Sequence, residues 1–496
     1  MKKNKSLVIF LIITLIVIPT LVFAEPPAKP PGDSNGGTGG QGGSSSSNIS
    51  YTGATTFSTS TTENNKTYTS STGSQNSLLV SGGTSTINSC TITKSGDASG
   101  DNADFYGTNA AVLTYNGATL NIKGGNITTN GSHANAVFAY GTGIINISDA
   151  TIKTTSNNSG AIMVTGGGNL TATNVTAETD GNSSAPIRSD RGGGNLTVKG
   201  GKYTSHGTGS PVIYSTANII VNDATLTSTA SEGVVVEGKN SVTLNNVNME
   251  ATNTKLNGNS ETYKSIFIYQ SMSGDADVGT SSFTSKNSKI TNNKGEIIFV
   301  TNTSTVIELE NNEIVNKDTD GYFLKASTAK WGTSGSNGGN VTLNMTNQKV
   351  TGDIIVDSIS TLDLSLKDNS VLISAIDNDN QAKKITLTMS SDSILSLTKD
   401  TYVDSLTNED NTNSNIYSNG EYKLYVDGKE VSINKTTYDS SNVTTNTTNT
   451  TTTNNDTTNT QNNNLYYIIG GIILLVAISI ISVTTIKKKK NNKQIS

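Results

Sequence analysis

Between residues 78 and 397 one pattern recurs: an apolar residue, any residue, an apolar residue, four mostly polar residues, then a third apolar residue. It reads Leu120-Ile122-Ile127, Ile145-Ile147-Ile152, Leu170-Ala172-Ala177, Leu196-Val198-Tyr203, Ile219-Val221-Leu226 and Val242-Leu244-Met249. The frame continues through Ile307-Leu309-Ile314, Leu343-Met345-Val350, Leu364-Leu366-Val371 and Leu387-Met389-Ile394, with weaker copies at Ser85-Ile87-Ile92 and Phe283-Ser285-Ile290. Most copies lie about 21 to 26 residues apart, a solenoid spacing. Each is preceded by a short apolar run such as Ala136-Val137-Phe138, Ala161-Ile162-Met163 or Ile266-Phe267-Ile268. A coil therefore holds three short strands, because alternation of period two argues strand and the intervening Gly, Asn and Asp supply turns. No 3.6-residue periodicity is present, which excludes a helical solenoid.

The composition agrees with a narrow core repeated along an axis. Only 33% of the residues are hydrophobic and 48 of the 496 are Gly, too little apolar material for a thick globular core. Pro186 and Pro211 stand at coil starts, where a missing N–H harms the ladder least. A net charge of −5 gives no basic footprint for nucleic acid. The single Cys90 alternates with Ile92 and is expected to be a small buried residue. About twelve coils are expected over 78–397. Residues 48–77 are expected as an N-terminal cap and 398–433 as a C-terminal cap, where Asn419-Gly420 and Asp427-Gly428 give two hairpin signals.

The flanking segments carry addresses of their own. Lys2, Lys3 and Lys5 before the apolar run Leu7 to Phe23 predict a signal peptide over 1–24, cleaved after Ala24. A Pro/Gly/Ser-rich flexible leader follows over 25–47 and an Asn/Thr-rich stalk over 434–464. Residues 465–486 are uncharged and long enough to cross a bilayer about 30 Å thick. Lys487 to Lys490 then place the tail, 487–496, in the cytoplasm and the body outside the cell. The expected localisation is the cell membrane, single-pass, with the body at the cell surface.

These coils resemble the right-handed parallel β-helix proteins of the pectin-lyase-like group, which includes polysaccharide lyases, polygalacturonases and bacterial adhesins. The resemblance implies an all-β, single-stranded right-handed parallel β-helix, here with a C-terminal transmembrane helix. Handedness comes from the resemblance alone. The nearer likeness is to the adhesin-like members, which share Asn/Thr/Gly-rich coils and a surface anchor.

Enzymes of this group use an Arg or Lys base beside calcium-binding carboxylates, or paired carboxylates near a His. The two arginines of this chain, Arg188 and Arg191, sit in Ala185-Pro186-Ile187-Arg188-Ser189-Asp190-Arg191. Proline precedes both instead of lying between them, and Asp190 can neutralise either. His133 and His206 fall in separate turns. No catalytic residue is expected, and the chain reads as a non-enzyme. No cofactor is expected beyond structural calcium at two acidic loops, Asp97/Asp101/Asp104 and Asp275/Asp277, which otherwise read as solvated loops.

Coils with insertions are the better signal. Extra residues occur at about 95–109, 251–264, 270–281 and 326–340, and solenoids place such loops where they bind. The last three carry Tyr263, Tyr269 and Trp331, whose rings suit sugar stacking or a protein contact. Arg188 and Arg191 form a second candidate, for an anionic ligand. The expected function is a membrane-anchored, non-catalytic adhesin or glycan-binding display protein. Its partners would be a polysaccharide, a host glycan or a cell-surface protein, with the membrane held through the C-terminal helix. A carbohydrate-active enzyme and a passive surface coat are the alternatives.

Overall fold

The computed structural model describes residues 49–258 and 260–439. One coil illustrates how the sequence closes on itself. Val137–Tyr140, Ile144–Ser148 and Thr151–Thr154 are three strands around a common core. The next coil supplies Ile162–Thr165 and the long strand Gly168–Thr179, which runs through the corner. The two stack in parallel and in register, Val137 on Ile162, Ile145 on Leu170 and Ile152 on Ala177. The three apolar positions of the motif face inward, as Ile145, Ile147 and Ile152 are all buried. First strands of successive coils form a twelve-stranded sheet, and second and third strands share a 22-stranded one.

The fold is thus an all-β parallel β-solenoid, with about fifteen turns where twelve were expected. The surplus lies at the ends. Gly53–Phe57, Thr62–Asn64 and Thr67–Ser70, expected within a cap, pair in parallel with the following coil and form a coil themselves. Its core is built on Phe57 and Tyr68 among hydroxyl residues, so the apolar triplet never shows. At the other end, Asp427-Gly428 turns an antiparallel hairpin that pairs Tyr425 with Glu430. Asn419-Gly420 does not. Both residues are left-handed and turn a coil corner, after which Asn434 bridges Tyr417 in parallel.

One corner explains much of the Asn and Asp. Asp149, Asn174, Asp223, Asn246, Asn287, Asn311 and Asn347 follow the second strand with φ between 48° and 56°. That left-handed region is costly for side chains in general but tolerated by Asn and Asp. Stacking makes the corner a ladder. Asn174 Nδ2 donates to Asp149 Oδ1 at 2.8 Å, Asn246 to Asp223 at 2.6 Å and Asn311 to Asn287 at 2.7 Å.

Many hydroxyls are buried rather than solvated. Thr129, Thr154, Thr179, Ser205 and Ser228 stack in register at the end of the third strand, all of them buried. Thr154 Oγ1 donates to the Ser159 carbonyl at 2.6 Å, and Ser228 Oγ to the Ser231 carbonyl at 2.9 Å. Ser205 binds the Ser210 carbonyl in the same way. These bonds close the third corner, whose backbone carbonyls would otherwise be buried without donors. Cys90 is buried and unpaired in a disulfide.

Of the flanking segments, 1–47, nearly all of 434–464, 465–486 and 487–496 lie outside the described residues. Among the described residues no helix is long and apolar enough to cross a membrane.

Lys94 occupies the hydroxyl ladder, in register with Ser70 and Thr129, and is 0% exposed. Its Nζ donates to the carbonyls of Thr72 at 2.8 Å and Gly96 at 2.9 Å. Desolvation lowers its pKa to about 8, against the weaker opposing pull of Asp97. The unfolded chain then binds the Lys94 proton more tightly, so stability rises with pH from about 8 and the gain is complete above the ordinary lysine value. Chemical denaturation between pH 7.5 and 10.5 should show this gain in the native chain, and Lys94→Met should lack it.

Candidate functional site

Most of the first sheet is buried on both faces, and this builds the site. Leu113 lies between the inward residues Val112 and Thr114, so it points away from the core. Its counterparts on successive coils are Leu79, Phe138, Met163, Arg188, Tyr214, Val235, Phe267 and Phe299. From Leu79 to Phe299 they make an outer ladder that is apolar except at Arg188 and Tyr214, and Lys325 is the next rung. The sequence signal is the unbroken apolar run opening each coil, since a strand buried on both faces loses its alternation.

Insertions cover the two ends of this ladder. Residues 95–109 fold the short helix Asp101–Tyr106 beside Tyr140, with Gly107 against Phe138. Tyr106 meets Tyr140 edge to face at 5.6 Å, and Thr165 Oγ1 donates to the Phe105 carbonyl at 2.7 Å. Gly107, φ 72°, passes so close to the Phe138 ring that a Cβ would meet it at 2.9 Å. At the other end Trp331 packs on Phe267 at 5.1 Å and on Tyr269 at 5.2 Å.

Between these covers lies a cleft of about 270 Å³ with Arg188 and Tyr214 lining it. Phe105 contributes from the first insertion, Asn257 from the second, and Asp275 from the third, beside Tyr269. Arg191 braces two of the walls. Its Nε donates to Asp275 Oδ1 at 2.6 Å, its Nη1 to Asp101 Oδ2 at 2.8 Å, and its guanidinium lies 3.8 Å over the Phe105 ring.

Arg188 is held from beneath. Its Nη2 donates to Asp190 Oδ2 at 2.9 Å and its Nη1 to the Ser183 carbonyl at 2.8 Å, while Nε is buried without a partner. Asp190 is 3% exposed. Burial raises its carboxyl to about 6, which the Arg188 charge offsets only in part. Tyr214 and Tyr269 both donate to Glu237 Oε2, at 2.5 and 3.0 Å, and Ser271 binds the other oxygen. Desolvation first, and then neighbouring charges, push both phenols well above their ordinary value. Their hydroxyls are committed, so the rings are fixed in place.

Two candidates that were separate in the sequence therefore meet. Tyr269 lines the cleft beside Arg188 and also touches Trp331, joining the aromatic loop residues to the arginine corner. Tyr263 does not join them. It precedes the strand Lys264–Tyr269, whereas Tyr269 closes that strand, and its ring faces Lys294 at 5.9 Å. Phe105, Asn257, Tyr214 and Glu237 are residues that the sequence did not single out.

The acids of the two expected calcium loops are spread over protein donors. Asp97 accepts from the Ser132 amide at 2.7 Å, and Asp104 lies 2.6 Å from His133 Nδ1. Asp101 and Asp275 share Arg191, and Asp277 lies 2.9 Å from Lys239. Glu178, Asp180 and His206 also converge closely enough to hold a metal ion. Lys153 Nζ stands 2.6 Å from both carboxylates, however, and supplies the positive charge there.

No protein-family model, no curated protein and no solved structure matches the chain.

The cleft's walls depend on Arg191 more than the rod does. Arg191→Ala should cost about 1 kcal/mol, since the pairs are partly exposed. It should sharply increase protease cleavage within 95–109 and 270–281, as read by limited proteolysis with mass spectrometry. Cleavage rates elsewhere in the described body should stay unchanged.

Proposed function

We propose that this chain is a non-catalytic glycan-binding protein of the cell surface, an adhesin-like member of the pectin-lyase-like group anchored through residues 465–486. The cleft carries this reading. Insertions from coils distant in sequence converge on one place, and they bring aromatic rings together with fixed polar groups beside a surface otherwise sealed by apolar contacts. Sugar rings present the same mixture, a C–H face and a rim of hydroxyls. Trp331 serves as the anchor of the Tyr269 wall. Asp190 is tied to Arg188 and to the Arg191 amide at 3.2 Å, which commits it to structure instead of proton transfer.

A glycoside hydrolase is the second reading, favoured by one observation: a carboxyl raised to about 6 in the same cleft as the ion-paired Asp275. It requires product release that Asp190→Asn abolishes. Binding without product release is the outcome expected here.

The direct test is a glycan array probed with the full-length chain in detergent, with turnover of bound glycans followed by chromatography. Trp331→Ala should weaken binding about tenfold by loosening Tyr269, a loss of about 1.4 kcal/mol. Its far-ultraviolet circular dichroism should remain strand-dominated.

A further inference from the structure

We infer that the cleft selects an uncharged hexopyranose unit of an oligosaccharide and rejects uronic acids and other anionic sugars. The inference rests on the glycan-binding reading of the cleft and goes further by naming the sugar class. Two arginines at the site suggest an anion at first sight, but the charges around them point the other way.

Arg188 and Arg191 are the cations of the cleft and its braces. Against these two stand four carboxylates: Asp190 on Arg188, Asp101 and Asp275 on Arg191, and Glu237 beneath the two tyrosines. Both guanidiniums are already neutralised, and acidic groups are in excess. An incoming carboxylate would have to displace Asp190 from a buried pair or face Asp275 across the opening. Like charges brought together in a partly desolvated site oppose binding strongly.

An uncharged sugar meets no such barrier. Arg188 lines the cleft, and its Nη1 and Nη2 each spend one of two N–H groups, on the Ser183 carbonyl and on Asp190, so a sugar hydroxyl or ring oxygen can accept from one that is left. Asp275 uses one oxygen for Arg191 and the other for Ser273 Oγ at 2.8 Å. Each carboxylate oxygen has a second lone pair, so both remain able to accept from sugar hydroxyls. Phe105, Tyr214 and Tyr269 supply ring surface for the C–H face; Glu237 fixes the two tyrosines before a ligand arrives, and Phe105 lies under the Arg191 guanidinium. Asn257 completes the rim. Its carboxamide lies over Gly209, whose φ of 61° favours glycine. A volume of about 270 Å³ lies just below the range of drug-sized pockets, about 300 Å³ upward, which suits a single ring of a chain that continues into solvent.

The test compares neutral hexose oligomers with uronate oligomers of equal length, using the full-length chain in detergent. Neutral oligomers should bind at least tenfold more tightly. Arg188→Lys keeps the charge opposite Asp190 but removes the guanidinium's spare N–H groups, and it should cost neutral binding about tenfold. Asn257→Ala, on an exposed loop, should weaken neutral binding about threefold with an unchanged melting temperature. Asn257→Lys adds a cation at the rim and should narrow the gap between the two sugar classes. Uronates bound as tightly as neutral oligomers, or more tightly, would overturn the inference and leave glycan binding standing. Neutral binding that all three variants leave unchanged would place the sugar elsewhere and overturn it equally. If neither class binds, the proposed function falls and the inference falls with it.

Discussion

The fold depends on in-register stacking of parallel coils. Each position of one coil lies about 4.8 Å below the same position of the next, so any residue type that suits one coil is set beside its own kind. This turns single residues into ladders: Ile145 on Leu170 in the core, Asn174 on Asp149 at the left-handed corner, Thr154 on Thr179 at the third turn. The unusual composition follows. Asparagine stacks well on asparagine because one carboxamide donates to the next, and serine and threonine close corners from inside. A chain poor in large apolar residues can then still satisfy its backbone and exclude water.

The same rule makes exceptions conspicuous. Arg188 interrupts an outer ladder of Leu, Phe, Met and Val, and its burial is offset by Asp190 and the Ser183 carbonyl. Buried ion pairs seldom add stability over apolar residues of similar volume. Methionine, already present one coil earlier at 163, would serve the ladder at least as well. The pair is therefore weak evidence for stability, and both of its residues line the cleft.

Legibility followed the ladders. The apolar triplet set the strand order, the inward face and the interior coils, because a core position has few acceptable residues. End coils escaped notice where Phe57 and Tyr68 stand among hydroxyls, and Lys94 was invisible because its burial depends on two carbonyls that no pattern reports. At the site, the insertions and their rings could be read, and so could the pairing of Asp190. Convergence could not. Asp101 and Asp275 were read as members of separate acidic loops, and no local rule indicated that Arg191 lies between them. Tyr263 and Tyr269 differ by six positions in one chain segment, yet the strand between them carries them to opposite ends of a face. Phe105 and Asn257 carry no signal of their own in the sequence and become meaningful only by position.

The Arg191 brace also sets an order of assembly. A solenoid made of nearest-neighbour contacts can begin to stack as soon as two coils have left the ribosome. Asp275 lies 84 residues beyond Arg191, on a coil that emerges well after the coil carrying the arginines. The cleft is thus unfinished throughout the synthesis of the coils between, with Asp101 alone holding the guanidinium. A nascent chain stopped before residue 270 would have its first coils stacked but only half of the cleft's walls, which separates the stacking of the coils from the completion of the cleft in time.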